Sequence, residues 1–141
     1  MRNSIIILGC GRLGASIANY YSASGENVIV IDNNKDAFSR LNDSFSGYTV
    51  LADVTDVSEL EEAGIQNTSD VLIATGDDNI NLFLTHICAK IYQVPYVYVR
   101  FEDPDKGLLI QGLSVKAIYP FQLTKDRINT LRAGENREWK L

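Results

Sequence analysis

Six short runs of mostly apolar residues recur along the 141-residue chain, at positions 5–8, 28–31, 48–51, 71–74, 96–99 and 115–118. Most are apolar throughout rather than alternating, the pattern of strands covered on both faces of a parallel sheet. Helical spacing fills the gaps between them. Leu13, Ile17 and Tyr21 step along a first helix, and Phe38, Leu41 and Phe45 along a second. Val57, Leu60 and Ala63 mark a short third, with Asp56 and Glu59 spaced as a capping box and Gly64 as a stop. Ile80, Phe83, Leu84, Ile87 and Ile91 form a continuous stripe on a fourth. A fifth opens on Asp103-Pro104 and stops near Gly112, and a sixth follows Pro120 with Phe121, Ile128 and Leu131 as its apolar side. This alternation predicts an α/β protein: a doubly wound, six-stranded parallel sheet with helices on both faces and right-handed crossovers.

The junction between the first strand and the first helix, IIILGCGRLG, carries glycines at 9, 11 and 14. The spacing G-x-G-x-x-G has a mechanical reason there. Gly9 allows a tight turn, Gly11 lets a pyrophosphate approach bare backbone, and Gly14 lets the helix pack closely. The helix start then offers free N–H groups and a partial positive charge to phosphate. Cys10, Arg12 and Leu13 complete the turn. The second strand ends in VIVID, so Asp32 stands where a carboxylate accepts from both ribose hydroxyls of an adenosine. That acid disfavours NADP and leaves NAD(H), AMP, ADP and ATP. The competing reading is a helix cap, and Asn33 divides between the same two roles. Together these features predict a Rossmann-like domain over 1–132, followed by a polar tail over 133–141 in which Trp139 is either loose or an anchor.

The remaining candidates lie at the ends of later strands. In LADVTD, Asp53 can accept from an adenine amino group and the Val54 N–H can serve a ring nitrogen; otherwise Asp53 is a turn aspartate. In IATGDD, Thr75 and Gly76 stand at the carboxyl end of the fourth strand, and Asp77 and Asp78 read as helix caps rather than metal ligands. Arg100 ends the fifth strand and must find an acceptor: a phosphate, Glu102 or Asp103. Arg12 either folds over phosphates, points to a neighbouring subunit, or is an ordinary surface residue. His86 falls off the apolar stripe and reads as a solvated histidine. Cys88 reads as core, and Cys10 as a small filler whose place at a helix start leaves a redox role open.

Charge and composition exclude other classes. A net charge of −5 argues against a broad grip on nucleic acid. The two cysteines form no C-x-x-C pair, which argues against zinc or a disulfide framework and suits a reducing cytosol. The chain lacks a signal-peptide pattern and any apolar run near the ~20 residues of a membrane span. Neither is there a Tyr-x-x-x-Lys pair, a paired histidine and acid, or a Walker-type loop. The nucleotide half of a dehydrogenase is present without a reacting half, which points to a non-enzyme that binds a nucleotide as a signal. The alternatives are a small NAD-linked oxidoreductase, or the cofactor-binding half of one, and a dinucleotide-binding subunit of unrelated purpose.

Beyond the glycines, VIVID, LADVTD followed by LEEAGI, IATGDDNINL and VRFEDP together resemble the TrkA N-terminal family, also called RCK N-terminal or KTN domains. The resemblance extends to about Leu131. It implies a cytoplasmic regulatory domain of Trk and Ktr potassium transporters or of potassium channels, peripheral to the inner face of the membrane through a pore-forming partner. It implies binding of NAD(H) or AMP, ADP or ATP at Gly9, Gly11, Gly14, Asp32 and Asp53, with Arg12 approaching the nucleotide of an adjacent subunit. It further implies dimers, paired into rings, whose shape the nucleotide changes. The last helix, 121–131, would then cross to a partner, against the alternative of packing on its own sheet. Many members continue into a smaller ligand-binding domain beyond this point.

Overall fold

The computed structural model describes residues 2–134. Its strands are β1 (Arg2–Leu8), β2 (Asn27–Asp32), β3 (Tyr48–Leu51), β4 (Thr68–Ile73), β5 (Tyr96–Arg100) and β6 (Lys116–Ile118). Its helices are α1 (Arg12–Ala23), α2 (Val57–Glu62), α3 (Asp78–His86) and α4 (Pro120–Gly134). The strands pair in parallel in the order β3-β2-β1-β4-β5-β6, the doubly wound sheet that the alternation predicts. The order reverses between β1 and β4, so the chain leaves those two strands toward opposite faces and opens a crevice at their carboxyl ends.

Both faces of the central strands are buried, which is why their sequences do not alternate. Ile6, Leu8, Ile31, Val71, Ile73 and Val99 pack on one face with Leu60 of α2, Leu84 of α3, Phe101 and Ile110. Ile5, Ile7, Val28, Val30 and Leu72 pack on the other with Ala15 and Ala18 of α1. Each large aliphatic side chain buried in this way contributes about 1.5–3 kcal/mol. The expectation of double coverage fails at the rims, where no residue of β3 or β6 is fully buried. On the α1 face, coverage also stops short of β5 and β6. An apolar cavity of about 470 Å³ remains there, between Ile17, Leu72, Tyr98, Ile118 and Leu123.

Four local readings need correction. The second helix is only a 3-10 turn, Lys35–Arg40. Asn19 of α1 explains the early stop: its amide donates to the Arg40 carbonyl and accepts from the Asn42 N–H, taking groups that a longer helix would pair internally. The fifth helix is likewise a 3-10 turn, Pro104–Ile110, opened by Asp103 as expected. The capping box at Asp56 is not formed with Glu59. Asp56 accepts from the N–H and hydroxyl of Ser58, and its own N–H is taken by the Asp53 carbonyl, so nothing remains for Glu59 to reach. The α3 stripe also breaks at its end. The chain widens into a π turn over Ile87–Ile91, which rotates Ile91 out to 65% exposure.

Beyond Pro120, α4 buries no residue, and only Leu123 lines the cavity beside its own sheet. Phe121, Ile128 and Leu131 are each about half exposed, so ordinary packing within the chain does not account for them. The helix runs through Gly134, past the expected boundary at 132; Trp139 lies outside the described residues. Among the described residues no helix is long and apolar enough to cross a membrane.

The glycine turn holds α1 against the sheet. Gly9 has φ +107°, which glycine adopts without strain. A Cβ at Gly14 would overlap the Gly9 carbonyl oxygen, whereas one at Gly11 would meet nothing within 4 Å. Gly14→Ala should therefore lower unfolding stability by about 1–3 kcal/mol. Gly11→Ala should change it by no more than about 0.5 kcal/mol. Denaturant unfolding of the two variants beside the parent chain checks both values.

Candidate nucleotide-binding site

The carboxyl ends of β1 to β5 surround a cavity of about 330 Å³. Gly9, Cys10 and Gly11 form one wall, Asp32 and Asn33 a second, and Asp53 with Val54 a third. Thr75, Gly76 and Arg100 close the far side. Ten of the thirteen sequence-derived candidates thus share one crevice. Gly14 lies buried beneath the turn, and Arg12 and Leu13 line an adjoining cavity of about 260 Å³ together with Arg100 and Pro120.

What distinguishes the β1–α1 turn is the state of the helix start. Asn34, Asp56, Asp77 and Asp103 each cap the segment that follows them by accepting a backbone N–H. At α1 the cap position is Gly11, and no side chain bonds the first turn. Its N–H groups are thus left to solvent or a ligand, with the helix dipole behind them. An anion is the partner this arrangement favours.

Asp32 stands opposite. One carboxylate oxygen accepts from the Cys10 N–H and the other from the Asn34 N–H, each at 2.8 Å. These bonds fix the plane of the carboxylate and tie the glycine turn to the end of β2. Each oxygen keeps a second lone pair, so two neighbouring hydroxyls can still donate to it. Asp32 therefore is not the cap of the next segment; Asn34 is, and Asn33 has no capping role. Asp53 forms the turn that one reading gave it, and it also lines the cavity. Its Oδ1 accepts from the Thr55 N–H and hydroxyl, and those bonds hold its carboxyl below the ordinary aspartate range. Its other oxygen is left to the cavity rim.

Thr75 and Arg100 are placed by a residue that sequence reasoning passed over. The Thr75 hydroxyl donates to Oδ1 of Asn81, so its proton is already committed. Arg100 has Nη2 3.4 Å from Glu102, one of the acceptors anticipated, and its buried Nε has no partner. Asp77 caps α3 as expected, but Asp78 does something else: its two oxygens accept from the N–H groups of Glu102 and Asp103, binding the loop after β5 to α3.

The structure removes the redox reading of Cys10. Burial, and then the charge of Asp32, push its thiol above the ordinary range, and its Sγ–H donates to the Ala37 carbonyl. Cys88 behaves as core, its thiol pushed up to about 12 by burial. Five wall residues were missed: Asn34, Ala37, Ala74, Arg40 and Ile80. Arg40 lines the cavity and donates from Nη1 to the Cys10 carbonyl at 3.4 Å. It reaches the turn from the last position of the Lys35–Arg40 segment, an end that no sequence period signals. Ile80 supplies an apolar wall where the stripe of α3 suggested only core. Among the described residues no group of three or more His, Cys, Asp or Glu could hold a metal.

An acid fixed beside an anion-seeking backbone, at the reversal point of a parallel sheet, suits a sugar-phosphate ligand. Comparison with known proteins agrees with this fold. The chain is 30% identical over 138 residues to the Trk system potassium uptake protein TrkA of Streptomyces coelicolor, covering 96% of this chain and 62% of that one. It therefore spans about three-fifths of that relative's length. The GsuK channel bound to NAD superposes with a TM-score of 0.79 at 23% identity, over 92% of this chain and 23% of that one. The Shewanella denitrificans Kef CTD in its AMP-bound form gives 0.70 at 21%, over 95% and 83%. Residues 5–120 match the TrkA-N domain family, and the chain belongs to it.

Proposed function

We propose that this chain is the nucleotide-sensing part of a potassium uptake system or channel, binding NAD(H) or an adenine nucleotide and acting through subunit arrangement rather than chemistry. The observation that carries this reading is the pairing of an uncapped α1 start with the fixed carboxylate of Asp32 across one crevice. In this reading Asp32 takes the ribose hydroxyls, Asp53 and Val54 the adenine edge, and the first turn of α1 the phosphates. Arg100 and Arg12 face the anionic end from two adjoining cavities. Similar proteins hold NAD or AMP, which supports the ligand class. The names of the relatives, potassium uptake proteins, support the partner, a potassium-conducting membrane subunit at whose cytoplasmic face the domain would sit.

A binding domain of this kind works by preference. A ligand that fits one arrangement of subunits better shifts the population toward it, by no more than its difference in affinity. The uncovered sheet face and the exposed apolar side chains of α4 are two halves of a contact that one chain leaves unmade. We read them as the self-association surface, with α4 of one copy covering the sheet of another.

Two outcomes are expected. In thermal unfolding, NAD, NADH, AMP, ADP or ATP at about 100 times its dissociation constant adds about 2.7 kcal/mol to the parent chain. Asp32→Ala should erase that shift while leaving the fold intact by circular dichroism; a full shift in the variant would move the site elsewhere, and rapid NADH oxidation with carbonyl acceptors would restore the oxidoreductase reading. Separately, Phe121→Asp with Ile128→Asp should convert the oligomer to monomer in sedimentation equilibrium without lowering helix content.

A further inference from the structure

Asn81 lies behind the cavity wall, 1% exposed, with its amide fully engaged. Oδ1 accepts from the N–H and hydroxyl of Thr75, and Nδ2 donates to the Thr75 carbonyl at 3.0 Å and the Arg100 carbonyl at 2.8 Å. The β4–β5 ladder ends at the pair Ile73 and Val99, just short of these groups. The Asn81 amide therefore continues the ladder as a substitute peptide and locks together the two strand ends that form the far side of the crevice. α3 holds it in turn, because its own N–H donates to Asp77 and its carbonyl accepts from Thr85.

Arg100 needs such a brace. Its guanidinium has one long contact, to Glu102, and an Nε with no partner. With so little holding the guanidinium, its direction depends largely on the backbone from which it projects. That direction places it between the cavity of Asp32 and the one shared by Arg12 and Pro120. We infer that Asn81 is a positioning residue: it presents Arg100 to the terminal phosphate of a bound adenosine nucleotide and so sets discrimination by phosphate number without touching the ligand. The inference rests on the nucleotide reading above and adds to it the residue that governs its anionic end.

Calorimetric titration of the whole chain with AMP and with ADP tests it, using the parent, Asn81→Ser, Arg100→Ala and the double variant. Asn81→Ser should weaken ADP about tenfold, the loss of one charge-assisted contact. AMP, held at Asp32 and the α1 start, should change by less than about threefold. In the Arg100→Ala background the serine should have no further effect on ADP, since the two act as one. Equal losses for AMP and ADP, or an undiminished loss when Arg100 is absent, overturn the inference and leave the nucleotide site standing. A parent chain that binds neither ligand overturns both. If Asn81→Ser fails to fold, the near-isosteric Asn81→Asp is read in the same two backgrounds against the same outcomes.

Discussion

The architecture of the crevice depends on a close approach of backbone to backbone at the end of β1. Gly14 is pressed against the Gly9 carbonyl, and Gly9 itself lies against the Ala74 peptide at the end of β4. Three segments meet there with no room for a Cβ on either glycine. That contact holds the start of α1 against the sheet beside the cavity, at the point where the chain leaves β1 and β4 toward opposite faces. A looser junction would keep the strands but lose the concentration of backbone donors at one point.

Around this junction the chain uses short polar side chains to hold loops rather than to do chemistry. Asp32 and Asn81 each bridge backbone groups of two different segments, and Asp78 ties the loop after β5 to α3. The carboxyl ends of β1 and β2, and those of β4 and β5, are thereby fixed pairwise by neutral or single-charge hydrogen bonds. Each neutral bond of this kind contributes about 0.5–1.5 kcal/mol net, and each to a charged group about 1.5–3 kcal/mol. The consequence is a rim preorganised for a ligand, with positive side chains, Arg12, Arg40 and Arg100, held only lightly at its edges.

The sequence revealed the fold wherever burial imposed a period. The aliphatic runs of β1, β2 and β4 announce parallel strands because both of their faces are covered, and the glycine spacing with Asp32 announces the crevice because each position there answers a steric or charge requirement. What stayed hidden depended on partners distant in sequence. The second helix stops at Arg40 because Asn19, on another element, takes its hydrogen bonds. Asp78 looks like a cap in any local reading, yet its bonds go to residues more than twenty positions away. Asn81 sits within an ordinary helical stretch, and only the three-dimensional nearness of β4 and β5 gives it a task. Arg40 joins the crevice from the last position of that same segment, an end that no sequence period signals.

The uncapped first turn of α1 has a consequence for the free protein. Each of the other helical starts noted above supplies its own cap from a neighbouring residue, and α1 does not. A bound phosphate would then be a missing piece of secondary structure, contributed from outside the chain. Without it, the amides of Arg12 to Gly14 are the natural place for the helix to fray, open to proton exchange with water while the turns beneath Ala15 and Ala18 stay closed. A ligand in the crevice would in that sense finish the backbone, closing the first turn of one helix.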